Sequence, residues 1–151
     1  MERPSRILVA VRLGDATPRP GPTAAWLATG LDATVTVVYV ATELRSAAEV
    51  ESASAIALED VRATMLEEAR VRAEEWGKRA LADIPFDVVV EEGDVAERIS
   101  AVAAEIGADL VVAGTAGRGA IKGMILGDTT REIVRHSPCP VVLVPAGPEE
   151  G

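Results

Sequence analysis

Cysteine and histidine are nearly absent: the chain has one of each, Cys139 and His136. One cysteine excludes an internal disulfide and fits a reducing compartment. One histidine and one cysteine are too few for the usual zinc arrangements, and no metal site is expected on protein side chains alone. Basic residues are also scarce, 15 Lys and Arg against 24 Asp and Glu, for a net charge of −9. Such a field repels nucleic acid and anionic membrane, so neither is expected as a partner. No apolar run approaches the roughly 20 residues of a membrane span. The opening Met-Glu-Arg-Pro-Ser-Arg leads into a strand without a secretory signal pattern, and a cytoplasmic location is expected. Catalytic signatures are missing too. There is no Ser-His-Asp or Cys-His arrangement and no GxxxxGK[ST] loop, so an enzyme is not expected.

What is present is a core. Of 151 residues 48% are hydrophobic, enough for one packed domain over 1–151. Ile7-Leu-Val-Ala-Val11 reads as a buried parallel strand. Arg12 to Pro22, with prolines at 18, 20 and 22, reads as loop, and a helix is expected from Pro22 or Thr23 towards Gly30. Thr34 to Val40 is a β-branched second strand. Glu43 to Ala57 gives no clear periodicity. From Leu58, one helical face carries Val61, Met65, Ala69, Ala73, Trp76 and Ala80. Glu68–Arg72, Glu74–Lys78 and Glu75–Arg79 stand at favourable i,i+4 spacing on the other side. Phe86 to Glu91 is the third strand. Asp94-x-x-Glu97 has capping-box spacing before a helix with Ile99, Val102, Ala103 and Ile106 inward. Leu110 to Ala113 and Pro140 to Val144 complete five strands alternating with helices. This pattern predicts an α/β fold: a doubly wound five-stranded parallel sheet flanked by helices.

The stretch with chemical content is Gly114 to Gly127, GTAGRGAIKGMILG, between an apolar strand and a helix start. Glycines let main chain approach a ligand closely, and loop and helix N-terminal amides present partial positive charge to it. Ligands of such sheets lie beyond the carboxyl ends of the strands, where strand order switches. The loops leaving the first and fourth strands are therefore expected to border one crevice.

The spacing Gly114-x2-Gly117-x9-Gly127 resembles the nucleotide-binding motif of the universal stress protein family. So do its flanks, Gly107-Ala-Asp-Leu-Val-Val-Ala-Gly114 and His136-Ser-Pro-Cys-Pro-Val-Val-Leu-Val-Pro145. The resemblance runs from Arg6 to Pro145. It implies a Rossmann-like fold of the adenine nucleotide alpha hydrolase type and a site for ATP or another adenine nucleotide, with Mg²⁺ only alongside the nucleotide. In the family an Asp after strand one contacts the sugar or metal end, a Val near the end of strand two offers its backbone to adenine, and the glycine loop with a Ser/Thr pair holds the phosphates. Carried over without gaps from Ile7 to Val40, the Asp falls on Arg12 and the adenine position on Val40. Gly114, Gly117 and Gly127 match the loop, Asp128 replaces the first hydroxyl residue, and Thr130 matches the second.

Two readings of this departure stand side by side. The loop binds an adenine nucleotide with Arg12 as an added phosphate contact, aided by Arg118 and Lys122, a divalent ion lying between Asp128 and the phosphates. Alternatively, Asp128 caps its own helix and repels the anion, by about 4 kcal/mol at 4 Å in a surface-like dielectric. Arg12 and Asp128, opposite in charge, are also expected to face each other across the crevice. The resulting expectation is a non-catalytic stress-response regulator or adaptor with an altered nucleotide site. The alternatives are a genuine ATP-binding, slowly hydrolysing member and an adenylyl-transfer enzyme of similar fold. Bland roles suit the rest: Cys139 as a small buried hydrophobe, His136 at a helix C-terminus, Trp26 and Trp76 in the core, and Asp94 and Glu97 as cap. The apolar last strand is expected at a sheet edge, pairing through Val141, Val142, Leu143 and Val144 in a homodimer.

Overall fold

The computed structural model describes residues 2–12, 19–42, 55–115 and 127–145, with residues 55–58 described by backbone alone. Five strands, β1 (Arg6–Val11), β2 (Thr34–Ala41), β3 (Phe86–Glu92), β4 (Leu110–Gly114) and β5 (Val141–Val144), form one sheet in the order β3-β2-β1-β4-β5. All neighbouring pairs are parallel. Between them lie α1 (Pro20–Leu31), α2 (Ala55–Ala80), α3 (Val95–Ile106) and α4 (Asp128–His136). The expected doubly wound α/β architecture is the one observed.

Alternation along the strands divides the core in two. Ile7, Val9, Val35, Val37 and Val112 face Ala24 and Ala28 of α1 and Ala69, Ala73 and Trp76 of α2. Leu8, Val38, Val40 and Val111 face Ala96, Ile99, Val102 and Ala103 of α3 and Ile133 of α4. The sheet is thus apolar on both faces, which is why its strands read as continuous hydrophobic runs rather than alternating ones.

Two helices are held by specific chemistry. Asp94 caps α3, its carboxylate accepting from the Glu97 amide at 3.0 Å, so capping accounts for this acidic residue. The helix ends on Gly107 at φ +66°, a left-handed position where its own amide bonds back to the last turn. Where α1 crosses α2, Gly21 is buried, and a Cβ there would stand 2.3 Å from Ala80 Cβ. The absent side chain sets that helix–helix distance.

Several expectations are corrected. Helix α1 begins at Pro20, inside the stretch read as loop, because first-turn amides have no helical acceptor and proline loses nothing there. Trp26 is not core: it is 73% exposed, since Gly21, Ala24 and Ala28 form the buried stripe of α1. Val61 is 45% exposed, so the inward face of α2 is fully buried only from Ala69 onward. Among the described residues, the ion pairs of α2 join Arg62 to Glu59 and to Glu92 of β3, rather than the three i,i+4 pairs.

Candidate functional site

Strand order reverses between β1 and β4, and here the sheet comes apart. The β1–β4 ladder stops at Val9–Val112. By contrast β1 stays paired with β2 to Val11–Tyr39, and β4 with β5 to Gly114–Val144. The last residues of β1 and β4 therefore follow opposite neighbours and leave a crevice at their carboxyl ends, where a doubly wound sheet takes its ligand. Val40 lies one residue beyond the last β1–β2 pair, with its side chain in the core beneath. Pro20, the first residue of α1, lies beside Gly114, where a Cβ would be 3.9 Å from the proline ring. The guanidinium of Arg19 donates to Pro145 O at 3.3 Å. The start of α1 thus lies beside the ends of β4 and β5.

The base of the glycine loop is stitched. Thr115 N donates to Val144 O at 3.1 Å, and Gly127 N donates to Thr115 O at 3.2 Å. Thr130, buried at 6% exposure, donates its hydroxyl to Gly114 O at 3.0 Å. Together these bonds tie the end of β4 to the start of α4. The first turn of α4 leaves the amides of Asp128, Thr129 and Thr130 without acceptors in the helix, since Arg131 N is the first to bond back, to Gly127 O. Helix α1 is a poorer anion donor, because Pro20 and Pro22 have no amide hydrogens in its first turn. Of the two helix starts described at the crevice, α4 is therefore the better anion donor.

Asp128 does not take the capping position. Gly127 is the N-cap, and Asp128 is the first helical residue, its carboxylate turned to Arg131 one turn along and its side chain 92% exposed. The helix-end amides are consequently not occupied by this carboxylate. A contact that engages Asp128 is Arg131 of its own helix. Arg12 itself is exposed one residue past β1 and has an interaction of its own. Exposure also weakens the repulsion Asp128 exerts on an anion, from about 4 kcal/mol towards the roughly 1 kcal/mol of bulk water at 4 Å. Gly117, Arg118 and Lys122 lie outside the described residues.

Other reactive groups stand elsewhere. Cys139 packs partly buried under α3 and α4, burial raising its thiol pKa against a smaller lowering contact from Ser137. His136 bonds Glu132 at 3.0 Å on the exposed side of α4. No group of three or more metal-ligating side chains occurs among the described residues, and no described helix is long and apolar enough to cross a membrane. Asp109 accepts from Ser5 N at 2.8 Å and Arg6 N at 3.0 Å. Those two amides hold its carboxyl below the usual carboxylate range, at the opposite end of β1 and β4 from the crevice. A depression of about 600 Å³ lined by Arg70, Lys78, Asp83, Phe86 and Asp87 also lies at that far end, at the start of β3. Sequence reasoning missed Arg19 and Thr115: Arg19 acts through its guanidinium and Thr115 through its main chain, and neither belongs to the motif's glycines or hydroxyl pair.

Comparison with known proteins identifies the family and the fold. A family model described as the Universal stress protein family matches residues 4–145. A protein of Thermus aquaticus named "Universal stress protein in QAH/OAS sulfhydrylase 3'region" is 41% identical over 76 residues, 50% of this chain. The match covers 53% of that protein, so the chain spans about half the relative's length. Among solved structures, hypothetical protein MJ0577 superposes with a TM-score of 0.74 at 22% identity, covering 98% of this chain and 100% of the other. A universal stress protein in complex with cAMP gives 0.61 at 22% identity, covering 97% and 100%. The Archaeoglobus fulgidus universal stress protein in complex with dAMP gives 0.56 at 17% identity, covering 94% and 98%. At these identities the superpositions establish a shared fold.

Proposed function

Because the chain belongs to the universal stress protein family, we propose that it is a non-catalytic regulator or adaptor whose β1–β4 crevice takes an adenine nucleotide with few phosphates. The observation that carries this reading is the first turn of α4. Its three amides without helical acceptors supply a compact anion site, and beside them Asp128 adds a negative charge where the family motif has a hydroxyl. One phosphate fits the donors with limited repulsion, whereas a triphosphate brings several more charges towards the same carboxylate. Solved relatives of the same fold hold cAMP and dAMP, each with a single phosphate. Asp128 would hold Mg²⁺ only alongside a polyphosphate, where the ion would offset the added negative charge.

Calorimetric titration with AMP, cAMP and ATP, with and without Mg²⁺, tests the reading. AMP or cAMP should bind at least as tightly as Mg-ATP, and metal-free ATP about tenfold more weakly. In Asp128→Ser the penalty on metal-free ATP should disappear. Micromolar binding of metal-free ATP by the parent, unchanged in Asp128→Ser, would favour the genuine ATP-binding alternative. Measurable nucleotide turnover would end the non-catalytic assignment.

A further inference from the structure

We infer that Thr130 is a positioning residue whose hydroxyl holds the mouth of the glycine loop and does not donate to the ligand. Only the ligand half of this inference rests on the nucleotide reading above. The side chain is 6% exposed, and its Oγ1 lies 3.0 Å from Gly114 O. A hydroxyl carries one proton, and a carbonyl has none to give back, so the proton of Thr130 is committed to Gly114. What remains on Oγ1 is lone-pair density, which repels phosphate oxygens. Of the α4 start, only the main-chain amides are thereby left to donate to a phosphate.

The same peptide group is bonded on its other side. Its carbonyl, Gly114 O, accepts from Thr130, and its amide, Thr115 N, donates to Val144 O at 3.1 Å. The next carbonyl, Thr115 O, accepts from Gly127 N at 3.2 Å. Two successive peptide planes at the loop entrance are therefore fixed to β5 and to the start of α4. The orientation of the α4 amides towards the crevice is set before a ligand arrives, which lowers the ordering cost of binding. The Thr130 hydroxyl is the one side-chain bond in this stitch.

Amide hydrogen exchange on the ligand-free protein tests this, with AMP titration alongside. In Thr130→Val, which keeps the shape and removes the hydroxyl, the Thr115 and Gly127 amides should exchange about tenfold faster. Amides of the β1–β2 ladder should be unchanged. AMP affinity should fall about tenfold, and Thr130→Ser should restore both. Unchanged exchange in Thr130→Val overturns the inference, and loss of AMP binding alongside it assigns Thr130 to direct ligand contact. Failure of Thr130→Ser to restore protection also overturns it, by transferring the effect to the methyl group. If the parent binds no AMP, the nucleotide reading falls while the exchange result still decides the role of Thr130. Should Thr130→Val not fold, NMR of the parent decides. A resolved, slowly exchanging Thr130 hydroxyl proton is expected, and its averaging with solvent overturns the inference.

Discussion

At the scale of single residues, volume decides more than chemistry. Gly21 has no side chain because Ala80 Cβ occupies the space, 2.3 Å from where a Cβ would stand. Gly21→Ala should therefore destabilise the protein by about 1–3 kcal/mol, since backbone rather than a flexible tip must move. Urea denaturation measures this directly, and an unchanged midpoint would mean that α1 and α2 are not in tight contact. The two tryptophans make a paired test. Trp76 is 8% exposed and packs in the α2 face of the core, whereas Trp26 is 73% exposed. Trp76→Ala should cost about 3–5 kcal/mol, and Trp26→Ala about 0.5 kcal/mol or less. Comparable losses from both would contradict the placement of α1.

At the scale of elements, β4 is tied at both of its ends, to different neighbours and by different groups. The crevice end carries the stitch at Thr115 and Gly127. The far end carries Asp109, whose carboxylate binds the Ser5 and Arg6 amides while Arg6 reaches Ile106 O at 2.9 Å. The amide bonds lower the Asp109 pKa from its ordinary 3.8. A carboxyl lowered on folding contributes stability that is present above its unfolded pKa and is lost as pH falls through its folded pKa. Stability of the parent should accordingly decline below about pH 4. Asp109→Asn should be less stable than the parent at pH 7 and should lose less on acidification, with the two curves converging at low pH. Thermal unfolding across pH 2–7 reads this, and parallel curves would show that Asp109 is not a contributor.

At the scale of the whole molecule, the two sheet edges differ. On β3, Gly93 N bonds Ala41 O, so by alternation Val88 turns its main chain away from β2. There Arg70 donates to Val88 O at 3.2 Å, and Arg62 joins Glu92 nearby. These side chains blunt that edge. On β5, Thr115 N and Val111 N bond Val144 O and Pro140 O, so Val141 and Leu143 direct their main chain outward. The apolar β5 edge is thus the better suited to pair with a second copy, and a homodimer is proposed through it. Light scattering at micromolar concentration should give twice the chain mass. Leu143→Pro removes an outward amide without touching the β4 ladder and should shift the protein to monomer with its far-UV spectrum retained. A monomeric parent would dismiss the pairing.

What the sequence alone determined is local and periodic. Continuous apolar runs specified five buried parallel strands, the stripe through Ala69, Ala73, Trp76 and Ala80 specified the inward side of α2, and Asp94 with Glu97 marked the start of α3. The glycine spacing and its flanks were enough to identify the family, and the apolar last strand already suggested an edge. What only tertiary structure decided depends on distance between residues far apart in the chain. The exposure of Trp26 follows from α1 lying close enough to α2 that Gly21 and the alanines fill the contact, a geometry no single-helix pattern contains. Likewise, Asp128 had capping chemistry in sequence, but the bond from Gly127 N to Thr115 O starts the helix one residue earlier and leaves that carboxylate to Arg131. Thr130 matched a phosphate-binding position, and its burial against Gly114 O redirects the one proton it has. Composition and period fix which residues leave water; which hydrogen-bond partner each polar group meets is fixed only when distant segments are packed together.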